Sequence, residues 1–180
     1  MRISSILAFS ALIAAFPLAL SAHADPGWKM AGVRAGLSAT SHYTYYHEYE
    51  AFTVFETPLS WRSAGGWGLT TRVEGSAGAL HSQGVDAFIG MVGPDFAVDK
   101  KGIPLELNAG LNLAFLSTAH FGRDNFEGNL QFASHIGVNF RFTDLLGIGY
   151  RFQHMSNGNL YGGNNQGLNL HMASLIFYLD

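Results

Sequence analysis

The chain has 180 residues, no cysteine, 10 basic and 13 acidic side chains, and a formal net charge of -3. That length fits one domain behind an export signal, the lack of cysteine excludes a disulfide-stapled secreted scaffold, and the slightly acidic balance gives no reason to expect nucleic-acid binding. Only 13% of residues are charged, too few for an ordinary soluble surface, yet no segment after the first 24 residues is apolar for the length of a membrane-spanning helix.

In chain order, Met1-Arg2, the apolar run from Ile6 to Leu20 and the small-residue site Ala22-His23-Ala24 form the three parts of a secretory signal peptide. Cleavage is expected after Ala24, leaving residues 25–180 as a single domain. The run is too short and too weakly flanked to favour the alternative, a retained anchor.

Eight strands are then predicted: Trp28 to Ala39, Glu48 to Leu59, Gly66 to Gly78, Val85 to Phe96, Leu105 to Ser117, Gly128 to Phe142, Leu145 to Ser156 and Leu168 to Leu179. The fifth is the clearest. Leu105, Leu107, Ala109, Leu111, Leu113 and Phe115 alternate with Glu106, Asn108, Gly110, Asn112 and Ala114, which gives one apolar face and one polar or small face. In the sixth, Leu130, Phe132, Ile136, Val138 and Phe140 oppose Gln131, His135, Gly137, Asn139 and Arg141. Arg141 is expected inside, near Glu106 or Glu74, because a charge facing lipid is costly. Ser63-Ala64-Gly65, Asp99-Lys100-Lys101-Gly102 and Thr143-Asp144 punctuate the strands, while Thr40 to His47, Thr118 to Glu127 and Asn157 to Gly167 read as longer loops.

Inside a bilayer only helices and closed barrels satisfy every backbone hydrogen bond. Eight amphipathic strands without a spanning helix therefore predict an all-β fold, an eight-stranded antiparallel transmembrane β-barrel in the outer membrane. The competing fold is a soluble β-sandwich or lipocalin-like barrel with its polar face outward; glycine-rich polar faces suit a narrow barrel interior better.

The seventh strand carries the candidate chemistry. Its outward series Ile148, Tyr150, Phe152 ends in His154 and Ser156, two polar residues where a structural wall would continue apolar. A serine hydroxyl needs a base within hydrogen-bond reach, and a histidine two positions away on the same face can serve. The base needs an orienting partner in turn. Counting back along the outward face of the eighth strand from Leu179 reaches His171 and Asn169, with Asn169 at the membrane level of His154. The connecting loop is rich in Gly and Asn, which offer the donors an oxyanion hole requires. His154 and Ser156 also fit a plain reading as interfacial polar residues, and Asn-Gly pairs are ordinary turn chemistry. No His/Asp/Glu spacing suggests a metal site.

The segment His154-Met155-Ser156-Asn157-Gly158, followed by Asn165-Gln166-Gly167-Leu168-Asn169, resembles the PagL-type lipid A 3-O-deacylases. The likeness extends more loosely over the last third of the chain, through Gly122-Arg123-Asp124 and Leu130-Gln131-Phe132. It implies an eight-stranded outer-membrane barrel with a serine triad on its lipid-facing wall, near the extracellular rim. Carried over residue by residue, Ser156 would be the nucleophile, His154 the general base, and Asn165 with the backbone near Asn157 and Gly158 the oxyanion donors. At the third triad position, where well-known members carry glutamate, this chain has Asn169. The implied activity is hydrolysis of the ester-linked 3-hydroxyacyl chain at position 3 of lipid A, with no cofactor. Expected partners are lipopolysaccharide and outer-membrane lipid, with a homodimer left open. A non-catalytic barrel of structural or adhesive role and a phospholipase are the alternatives.

Overall fold

The computed structural model describes residues 26–39, 45–162 and 167–179. The expected signal peptide, part of the first loop and Asn165 lie outside these residues. Among the described residues ten strands follow in chain order: β1 Gly27–Ser38, β2 His47–Arg62, β3 Trp67–Ser82, β4 Val85–Lys100, β5 Leu105–Leu116, β6 His120–Phe121, β7 Asp124–Asn125, β8 Leu130–Arg141, β9 Leu146–Ser156 and β10 Leu168–Tyr178. Eight of them close an antiparallel barrel in the order β1-β10-β9-β8-β5-β4-β3-β2, and β6 and β7 form a separate short hairpin. The closed all-β barrel expected from the alternation is the observed fold.

Three tight turns, at 63–66, 101–104 and 142–145, lie at one end of the barrel. The first loop, the loop bearing β6 and β7, and the loop between β9 and β10 lie at the other, with the two-residue turn Gln83-Gly84. Gln83 and Gly84 both have positive φ, 52° and 74°, as a hairpin turn matched to strand twist requires. This tight turn holds β3 and β4 in unbroken register from Ser82↔Val85 to Trp67↔Lys100, so both strands run several residues beyond their expected ends at Gly78 and Phe96. The wall is tallest there.

The outer wall is an apolar band of Val33, Leu107, Leu111, Leu113, Ile136 and Leu175 among others, all exposed. Exposed Trp28, Trp61 and Trp67 ring the short-turn end, with Tyr45 and Tyr161 at the other, the two aromatic girdles of a lipid-embedded barrel.

The interior differs from the expected lining of small polar residues. Its middle holds two charged clusters. Glu74 accepts from both Arg151 (2.6 Å) and Arg34 (3.3 Å), and Arg34 also meets Glu50 at 2.5 Å. Arg72 bridges Asp95 (2.6 Å) and Glu106 (2.9 Å), with His135 3.1 Å from Asp95. Toward the long loops the lining turns apolar, a core that includes Tyr46, Leu80, Leu116, Phe121, Met155, Leu168 and Leu170. There the Tyr46 phenol, pushed up by burial and then by its hydrogen bond to Asp124 (2.9 Å), stays protonated and donating.

Arg141 is not in this interior network. It sits at the short-turn end, donating to the Thr143 carbonyl (3.3 Å) and the Asp144 carbonyl, with its guanidinium 4.2 Å from the Tyr178 ring centre. As the last residue of β8 it reaches the turn, where a cation can bond backbone carbonyls without crossing the barrel. The carboxylates at Glu106 and Glu74 are taken by Arg72, and by Arg34 and Arg151, instead.

Candidate active site on the outer wall

Strand β9 alternates as expected. Gly147, Arg151, Gln153 and Met155 are buried inside, while Ile148, Tyr150, Phe152, His154 and Ser156 face out. Antiparallel pairing places Asn169 of β10 directly opposite His154 and leaves Ser156 at the strand end. Opposite residues in such a pair lie only about 5 Å apart, so even a short amide side chain reaches the ring. Asn169 Oδ1 is 2.7 Å from His154 Nδ1, and both side chains are half-buried. The bond fixes the proton on Nδ1 and leaves Nε2 as the basic nitrogen.

Gly167 keeps the ring in place. A Cβ at that position would fall 2.7 Å from His154 Cε1 and 3.4 Å from Nε2, so any side chain there would displace the imidazole. Contact with the His154 ring is the steric reason for a glycine at this position of the Asn165-Gln166-Gly167-Leu168-Asn169 segment.

Ser156 and His154 occupy the same face two residues apart, and among the described residues no hydrogen bond joins them. Such bonds are often loose in the free enzyme and tighten around substrate. The register partner of Ser156 on β8 is Phe132. Gly158, at φ 58°, begins the loop beside it, and a Cβ there would come 3.0 Å from the Phe132 ring. The Gly158 backbone therefore belongs to the same patch as Ser156. Asn157 points the other way: its side chain is buried, donating to the Phe126 carbonyl (3.2 Å) and accepting from the Asn159 N–H (2.7 Å). Its amide shapes the turn, so an oxyanion role for Asn157 falls to its backbone.

Two further polar elements lie on this wall. One row toward the barrel middle, the Tyr150 hydroxyl and His171 Nδ1 are 2.6 Å apart, and Phe152 packs edge-on against the His171 ring at 5.4 Å. On the other side, Ser134 of β8 is the direct register partner of His154. It is exposed, and sequence reasoning passed over it because it interrupts the apolar series Leu130, Phe132, Ile136, Val138, Phe140. That interruption was itself the signal. Among the described residues, no group of His, Asp or Glu is arranged to hold a metal ion.

The barrel is similar to the crystal structure of the outer membrane enzyme PagL at a TM-score of 0.65, with 22% identity over 82% of this chain and 98% of that one. It is also similar to Neisserial surface protein A (NspA), at a TM-score of 0.54 and 13% identity over 87% of this chain and 99% of that one. At these identities the structural matches speak for the fold alone, a closed antiparallel β-barrel. No curated protein sequence matches significantly. The family model for lipid A 3-O-deacylase (PagL) matches residues 44–177, a span running from the first loop through the last strand and including the whole His154, Ser156 and Asn169 patch. On that match the chain belongs to the PagL family of lipid A 3-O-deacylases.

Proposed function

We propose that the chain is a serine esterase that removes the 3-hydroxyacyl chain from position 3 of lipid A in the outer leaflet. The observation that carries this reading is the 2.7 Å contact between Asn169 Oδ1 and His154 Nδ1 on a lipid-facing wall, two residues from Ser156. In the reaction, Ser156 Oγ attacks the ester carbonyl while His154 Nε2 takes its proton. The bond from the carbonyl carbon to the sugar oxygen breaks, and the proton passes to that oxygen as it leaves. Water then attacks the acyl-serine, His154 takes a proton from it, and that proton passes from His154 to Ser156 Oγ as the 3-hydroxy fatty acid departs. Backbone N–H groups at Asn157 and Gly158, with Asn165, are the donors proposed for the oxyanion.

The substrate is already in the membrane, so a site on the outer wall receives it by lateral diffusion. A shallow cavity of about 400 Å³, lined by Ala35, Leu37, Tyr49, Tyr150, His171 and Ala173, lies on the β10 side of the site and offers an apolar recess to the lipid. The homodimer left open by the sequence gains no support from the fold or the family match, and the proposed site draws every residue from one chain.

Mass spectrometry of lipid A from a gram-negative host expressing the chain tests this. The wild type should remove one 3-hydroxyacyl group and Ser156→Ala should remove none. An unchanged spectrum from a folded, membrane-inserted wild type would overturn the assignment in favour of a structural role or another lipid.

A further inference from the structure

The row that crosses the wall at the level of His154 runs Leu111, Ser134, His154, Asn169 over β5, β8, β9 and β10. Asn169 and His154 bond each other. Ser134, next in the row, is exposed and has no hydrogen-bond partner among the described residues: Leu111, Phe132 and Ile136 beside it are apolar, and His154 opposite it is bonded to Asn169 through Nδ1. An unpaired hydroxyl on an otherwise apolar stretch of wall gains nothing for the barrel, and alanine would serve a purely structural wall as well. A polar group of the substrate would complete it.

Register indicates which group that is. Phe132 is opposite Ser156, so Ser134 lies diagonally from Ser156, one step down β8. Diagonal neighbours are about 7–8 Å apart. An acyl chain held at Ser156 Oγ carries its 3-hydroxyl two carbons beyond the carbonyl. Those two bonds of about 1.5 Å, a hydrogen bond of about 2.8 Å and the two serine side chains cover the gap.

We infer that Ser134 recognises the 3-hydroxyl of the scissile acyl chain and sets the preference for 3-hydroxyacyl over unsubstituted acyl esters. This rests on the proposal that Ser156 forms the acyl-enzyme. One neutral hydrogen bond made to the correct substrate and lost with its analogue corresponds to about a five- to tenfold preference.

The test uses the full-length barrel in detergent micelles and two synthetic glucosamine esters, one 3-O-(3-hydroxyacyl) and one 3-O-acyl of equal length. Wild type should prefer the hydroxylated ester by about five- to tenfold in kcat/KM. Ser134→Ala should lose that preference while keeping its rate on the plain ester, and Ser134→Thr, which restores a hydroxyl, should regain most of it. Equal rates of the wild type on both esters, or a Ser134→Ala variant that still discriminates, would overturn the inference. Ser156→Ala separates the two claims. Full activity in Ser156→Ala would sink the nucleophile assignment itself, whereas its inactivity beside an indiscriminate wild type would sink only the role of Ser134.

Discussion

At the residue scale, the most informative position is Asn169. Its carbonyl oxygen can hold the His154 tautomer as an asparagine does in papain-like proteases, but it brings no charge to the imidazolium that forms when Ser156 is deprotonated. Asp is nearly isosteric with Asn, and Asn169 already reaches His154 across the pair at 2.7 Å, so Asn169→Asp keeps the bond and adds the charge. A charge-assisted bond exceeds a neutral one by about 1–2 kcal/mol, so kcat should rise about tenfold. Initial deacylation rates of the solubilised enzyme check this; an unchanged or lower kcat would show that orientation alone is what His154 needs. His154, Ser156 and Asn169 could be placed from strand parity because one alternating face is the whole of their geometry. Ser134 shows in the sequence only as a break in an outward apolar series, since its place beside His154 depends on a register with β9 that no local pattern encodes. The inward turn of Asn157 depends likewise on the hairpin that supplies the Phe126 carbonyl.

At the scale of elements, the strands are held in place by what they bury inside. Glu74 on β3 is the shared partner of Arg34 on β1 and Arg151 on β9, so one carboxylate ties three strands. Arg151 lies on β9 between the outward residues Tyr150 and Phe152, on the strand that carries Ser156. Glu74→Gln would leave Arg151 without its ion pair in the barrel interior, and breaking such a pair costs about 3–5 kcal/mol. The temperature at which the folded form disappears on a heat-modifiability gel should fall clearly. Activity per folded molecule should hold, because the substituted side chain faces away from the wall. The sequence pattern located all eight barrel strands, since two-residue periodicity is read within a strand. It ended β3 and β4 early because their length is set by pairing across the Gln83-Gly84 turn. It put Arg141 beside Glu106 or Glu74 because alternation assigns a face without saying how near the barrel end a residue lies.

For the whole molecule, the charged middle and the apolar loop end of the interior divide the work. The charges fix strand order and register from within, and the apolar core backs the site: Met155 lies between His154 and Ser156 in sequence and points inward, and Leu168 and Leu170 flank Asn169 in the same way. The outer wall meets lipid and substrate on a surface whose reverse side is packed. That same packing stops the lumen from serving as a conduit. Tyr46, Leu80, Leu116, Phe121, Met155 and Leu168 are fully buried at the loop end, an apolar plug among the described residues that opposes the passage of hydrated ions. Reconstituted into a planar bilayer under voltage, the protein should be electrically silent, and a steady unitary current would show that the plug opens. A cell could therefore place many copies of this enzyme in its outer membrane without altering what that membrane lets through.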